Sequence, residues 1–110
     1  MWIARRVLKL RQGNSITDLS VYLFAPEKDG TAWKCRYEID WPQGKRESAA
    51  TGIDSMQAVV LALQKIGTDL YMSDSHRNGE LSWDTPGSGY GFPLPANGRE
   101  LLIGDDRKFF

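Results

Sequence analysis

The chain has 110 residues, 41% hydrophobic and 25% charged, which are the values of a folded domain rather than a disordered segment. Its 14 Lys and Arg balance 14 Asp and Glu, so no global field draws it toward nucleic acid or an anionic membrane. A lone cysteine, Cys35, leaves no partner for an intramolecular disulfide and argues against a secreted, stapled fold.

The opening MWIARRVLKL alternates charged and apolar residues and lacks the apolar centre of a signal peptide. No apolar run approaches membrane-spanning length. The expectation is a soluble, cytoplasmic protein forming one domain over residues 1–110, with a charged and aromatic tail at 105–110.

Trp2 to Leu10 reads as a strand. Arg5, Lys9 and Arg11 share one parity with Ile3 and Val7; Trp2, Ala4, Leu8 and Leu10 share the other with Arg6, and that second set is the better core face. Gly13 and Asn14 signal a turn. Asp18 to Ala25 is a second strand with bulk on both faces, which places it centrally or beneath another element. Pro26 to Gly30 reads as a polar loop.

Ala32 to Trp41 is the clearest strand. Trp33, Cys35, Tyr37, Ile39 and Trp41 point one way and Lys34, Arg36, Glu38 and Asp40 the other, so one face is wet. Trp41 to Gly44 closes a hairpin through Pro42. Lys45 to Gly52 returns with small residues that leave room for a facing helix.

Asp54 to Ser73 is the long helix. Asp54 and Gln57 make a capping box at its start. At about 100° per residue, Val59, Leu63, Ile66 and Leu70 fall on one line, widened by Met56 and Val60 on one side and Ala62 on the other. Leu61 lies off that stripe and is a candidate partner contact.

Beyond Ser73, residues Ser75 to Gly79 read as a polar turn and Glu80 to Asp84 as a short strand. Thr85 to Pro95 is a Gly- and Pro-rich loop. Asn97 with Glu100 suggests a second capping box and a brief helix ended by Gly104.

No residue set spells out a reaction. Ser73, Asp74, Ser75 and His76 are too close in sequence to converge as a triad, and no nucleophile elbow is present. The stretch Gly87-Ser88-Gly89-Tyr90-Gly91 lacks the flanking strand and helix of a phosphate loop. One Cys and one His on separate segments supply no zinc site. No cofactor or metal is therefore expected, and the balance leans away from an enzyme.

Two surfaces remain. Arg5, Lys9 and Arg11 form a basic row that could meet an anion or nucleic acid, extended by Lys34 and Arg36 if the strands adjoin. Alternatively these charges protect an edge from strand pairing. Leu61, Trp83, Tyr90 and Phe92 are a candidate partner surface, since aromatic residues carry interface energy.

The stretches RYEIDWP, GIDSMQAVVLALQKIGTDLY, GYGFP and GDDRKFF resemble a group of short bacterial proteins that share a domain of unknown function. The resemblance spans nearly the whole chain. It implies a bacterial, soluble protein and carries over no catalytic residues. The run of strands leading through Gly52 into the helix with Ala58 and Ala62 also resembles HicB-type antitoxins, although their central signature is missing.

The predicted architecture is α+β: an antiparallel sheet of four to five strands, the long helix across one face, and a short C-terminal helix. The predicted role is a non-enzymatic protein-interaction module, immunity- or antitoxin-like, with nucleic-acid or anionic-ligand binding through the first strand as the alternative.

Overall fold

A computed structural model describes residues 1–110. Six antiparallel strands form one open sheet: β1 (Trp2–Gln12), β2 (Ser15–Phe24), β3 (Glu27–Asp29), β4 (Ala32–Trp41), β5 (Gly44–Gly52) and β6 (Leu81–Ser82). In space β6 flanks β1, then come β2, β4 and β5, with β3 continuing the β2 edge of β4 beyond a break at Ala25 and Pro26. The polar loop expected at 26–30 is thus partly strand.

The long helix α1 (Ser55–Tyr71) starts where the capping box predicts. The Asp54 carboxylate accepts from Gln57 N at 2.8 Å, and Gln57 reaches back to accept from Ile53 N at 2.7 Å. It lies over β4 and β5. A one-turn helix, α2 (Asp74–Arg77), replaces the expected polar turn.

The C-terminal region departs from expectation in detail. Ala96–Leu101 forms a 3₁₀ helix without a side-chain cap, so the Asn97 capping box does not form. The short α-helix comes afterwards, at α3 (Gly104–Phe109), in what composition reads as a tail. Gly104 begins that helix instead of ending one. Its backbone passes so close to Gly87 and Ser88 that a side chain would collide with them.

Register assigns the two faces of the sheet. Leu8 opposes Leu19, Val21 opposes Ile39, and Leu23 opposes Tyr37, so these residues share the face beneath the helix. Arg5, Lys9, Asp18, Tyr22, Glu38 and Arg36 lie on the other. Nineteen buried residues from sheet, helix and the 90–102 segment form one hydrophobic cluster.

The helix meets the sheet on a rotated face. Periodicity centres the stripe on Val59, Leu63, Ile66 and Leu70. The buried line is instead Ala58, Ala62, Ile66 and Leu70, with Gly67 and Tyr71 beside it. Val59 and Leu63 are half-buried at the margin, and Met56 and Val60 are exposed. Close approach causes the rotation. A Cβ at Gly52 would stand 2.5 Å from the Ala58 nitrogen, so only small residues fit where the helix crosses β5.

Trp2 is a second correction. Strand parity places it in the core, yet it is 50% exposed. A bulge between Trp2 and Ala4 shifts the register and turns its ring onto the outer face, 5.6 Å from the Tyr22 ring.

Candidate functional site

One face of the sheet is covered by α1 and the C-terminal segment; the other carries no covering element. The basic row lies on this uncovered face, as its parity predicts. Arg5, Lys9 and Arg11 are all exposed. The row is not a uniform strip of positive charge, however. Lys9 is paired with Asp18 at 2.5 Å, and Arg5 donates to Ser20 Oγ at 2.9 Å. Strand β2 separates this row from Lys34 and Arg36, so the two sets share a face but not an edge.

Around Arg5 the face turns aromatic. Its guanidinium sits 5.6 Å from the Tyr22 ring centre, Trp2 packs on the same ring, and Arg36 lies 4.8 Å from the ring centre of Phe24. Trp2 and Phe24 are cross-strand partners. The five side chains therefore make one continuous patch. Arg36 meets a single carboxylate, Glu27, at a long 3.8 Å, and Arg5 meets none. The patch is aromatic and cationic, with little internal neutralisation.

A different cluster occupies the covered side. Asp106, from α3, is 2% exposed. Its carboxylate accepts from Tyr71 OH at 2.5 Å, Tyr90 N at 2.8 Å and Gly91 N at 2.7 Å. Gly89 allows this: a Cβ there would fall 2.6 Å from a carboxylate oxygen, and the backbone φ is +93°. The glycine-rich loop thus wraps an anion with its backbone N–H groups, and the anion is the protein's own. Composition reads Asp105 and Asp106 as a solvated tail; Asp106 is instead the centre of a buried network.

Arg6 completes the far side of that loop. Its Nη1 donates to the carbonyls of Gly91 at 2.8 Å and Tyr90 at 3.3 Å. The guanidinium packs against Trp83, 4.0 Å from the ring centre, and Phe92, at 4.9 Å. Burial lowers its pKa, and the charge of Asp106 opposes that change.

His76 Nδ1 and the Tyr90 hydroxyl are hydrogen-bonded, and both rings pack on Tyr71 with centres 5.0 Å away. Burial, helped by Arg77, lowers the His76 pKa. Burial and the Asp106 charge push Tyr90 up to about 12. These shifts favour a neutral imidazole beside a protonated phenol. The pair borders a cleft of about 310 Å³ that also touches Arg11 and Glu80. Ser73 caps α2 by accepting from His76 N, Asp74 pairs with Arg77, and Ser75 is buried. The four residues that suggest a triad build a helix turn instead.

The four residues of the expected partner surface do not form one. Tyr90 and Phe92 are 2% and 6% exposed, because the loop folds them against Tyr71 and Arg6. Trp83 is half-buried under the Arg6 guanidinium. Leu61 lies elsewhere, half-buried in a shallow groove with Ala49, Lys65 and Pro95.

Trp2, Tyr22 and Phe24 are absent from the residues that sequence reasoning selects, because the bulge that exposes Trp2 leaves no local mark. Asp106 and Tyr71 are likewise missed. One signal was available: Arg6 on the core parity requires buried partners.

No group of three or more His, Cys, Asp and Glu side chains is gathered in the structure, and no helix is long and apolar enough to cross a membrane. Residues 4–94 match a family described as a domain of unknown function, DUF6968. No curated protein and no solved structure matches the chain, so the likeness to HicB-type antitoxins gains nothing from these comparisons.

Proposed function

We propose that this chain, which belongs to the family of the domain of unknown function DUF6968, is a non-enzymatic protein-interaction module. It engages its partner through the uncovered sheet face. The observation that carries this reading is the continuous patch of Trp2, Arg5, Tyr22, Phe24 and Arg36. Trp, Tyr and Arg are the residues that dominate binding energy at protein interfaces. They are displayed here on a rigid sheet, so little ordering entropy is lost on docking.

Charge selects the partner. Arg5 is in no ion pair and Arg36 holds only a distant one, so a surface carrying carboxylates among apolar groups complements the patch. Binding and neutralising another protein in this manner is the role of an immunity- or antitoxin-like protein. The same bacterial, cytoplasmic setting is part of the proposal.

A patch of rings and arginines also suits stacked bases. The mixed charge of the surrounding face, with Asp18 on Lys9 and Glu38 on Lys45, favours a protein over a polyanion. The test is capture from source-cell extract by the wild-type chain and by Arg5→Glu and Tyr22→Ala, alongside retention of a labelled single-stranded oligonucleotide at low and high salt. A protein retained by the wild type and lost from both variants is the expected result. Equal retention by all three would overturn the reading, and salt-dependent oligonucleotide binding would replace it with the nucleic-acid one.

A further inference from the structure

A second recess lies on the opposite side of the sheet from the aromatic patch. It is a cavity of about 260 Å³ between the covered face of β1 and β2, the α1 helix and the 91–93 segment. Ala4, Leu23, Leu63, Ile66 and Phe92 line it, and Phe110 stands at its edge. Its size is just under the roughly 300–1,000 Å³ common for small-molecule sites.

Two arginines border the cavity, and no acidic residue does. The Arg5 side chain is turned away, bonded to Ser20 on the other face. Arg6 is therefore the charged side chain on the cavity's side of the sheet. It is in no ion pair. Its Nη1 alone makes protein hydrogen bonds, both to backbone carbonyls, which leaves the donors of Nε and Nη2 open to solvent and free to take a ligand. The rings of Trp83 and Phe92 pack against the guanidinium, and its two carbonyl bonds hold it in place before any ligand arrives.

We propose that this cavity binds a small organic monoanion with an apolar body, an aryl- or branched alkyl-carboxylate, with the carboxylate on Arg6 and the body against Leu23, Leu63 and Ile66. An apolar recess with one fixed cation discriminates by charge, because a carboxylate gains a charge-assisted hydrogen bond at Arg6 that a neutral amide does not. Its charged side chain, Arg6, is not part of the outer patch.

The experiment is a calorimetric titration of the full chain with phenylacetate and with its neutral isostere phenylacetamide. Saturable binding of the acid, with the amide weaker by about tenfold or more, is expected. Arg6 also holds the 90–91 backbone, so its replacement risks unfolding. The variant used is Ala4→Leu, which fills the cavity from the strand and leaves Arg6 in place; its melting transition is checked first. Loss of phenylacetate binding in folded Ala4→Leu is expected. No saturable binding to the wild type, equal affinity for acid and amide, or undiminished binding to Ala4→Leu would each overturn the proposal. Partner capture through the outer face is read separately, by Arg5→Glu and Tyr22→Ala, neither of which alters Arg6 or the cavity floor.

Discussion

The carboxylate of Asp106 lies 2.8 Å from the backbone nitrogen of Tyr90, and this contact ties the last helix to the loop that closes the core. The residues come from segments with no regular sheet or helix contact between them. Two backbone N–H groups and the Tyr71 hydroxyl point at one carboxylate. The hydrogen bonds are charge-assisted and buried, where such bonds are strongest.

Replacing Asp106 with Ala is therefore expected to destabilise the chain by about 3 kcal/mol or more, because two buried donors and a part-buried one lose their acceptor together. Asp106→Asn keeps one acceptor oxygen and should cost less. Asp105→Ala, at an exposed neighbour paired only with Lys108 at 3.5 Å, should change stability by no more than about 0.5 kcal/mol. Urea unfolding of the three variants decides. Equal midpoints for Asp106→Ala and Asp105→Ala would show that the buried network contributes nothing.

The rotated helix face gives a second expectation. Ile66 is fully buried and Val60 half-exposed. Ile66→Ala should cost about 2–5 kcal/mol through the lost contacts and the cavity. Val60→Ala and Met56→Ala should be close to neutral, since both side chains face water. Ala62→Leu should destabilise by about 1–3 kcal/mol, because the helix already approaches the sheet too closely to accept a larger residue. Thermal melts that ranked Val60→Ala beside Ile66→Ala would restore the stripe that periodicity predicts.

These two features mark where sequence reasoning succeeds and where it stops. The alternation from Ala32 to Trp41 predicts the faces of β4 correctly, with Cys35, Tyr37 and Ile39 buried and Lys34 and Arg36 exposed, because the period of a strand is a local property. The helix follows from its cap and apolar content, but its rotation depends on Gly52, a residue of the neighbouring strand. A one-residue bulge reverses Trp2 without any cue in its neighbours. The bonding of Asp106 to Tyr71 and the 90–91 backbone, and the contacts of Arg6 with Trp83 and Phe92, join distant segments through tertiary packing. Such contacts have no periodicity to read.

Stability should respond to pH at both ends of the range. In the folded chain, burial and Arg77 hold His76 below its ordinary value of 6.5. The unfolded chain therefore takes up the proton first, so this contribution is fully present above about pH 6.5 and is lost as pH falls through the depressed folded value. His76→Gln should flatten that part of the acid arm relative to wild type. At the alkaline end, burial raises Tyr37 and Tyr90 from 10.0 to about 12, aided by Asp69 and Asp106 respectively. Their contribution is fully present below about pH 10 and is lost as pH rises through about 12. Melting temperatures across both windows, with Tyr90→Phe as the second variant, test the sign. An alkaline arm identical in Tyr90→Phe and wild type would exclude Tyr90 as its source.

Strand β5 pairs only with β4, which leaves an outer edge of backbone groups open to another chain. Lys65, from α1, reaches down to that strand. Its ammonium donates to the Ala49 carbonyl at 2.7 Å and to Ser48 Oγ at 3.1 Å. A hydrated charge bonded there obstructs an incoming strand both sterically and by the cost of stripping its water. Lys45, Arg46 and Glu47 add charge to the first half of the edge, whereas Ser48 to Gly52 are small and uncharged, so Lys65 guards the half that lacks charges of its own. Lys65→Ala is expected to leave the monomer's melting temperature within a few degrees and to raise self-association with concentration, read by light scattering on a sizing column. Lys65→Arg, which keeps charge and reach, should remain as the wild type. A Lys65→Ala chain that stays monomeric at every concentration where the wild type does would remove the edge-guarding role and leave Lys65 an ordinary surface contact.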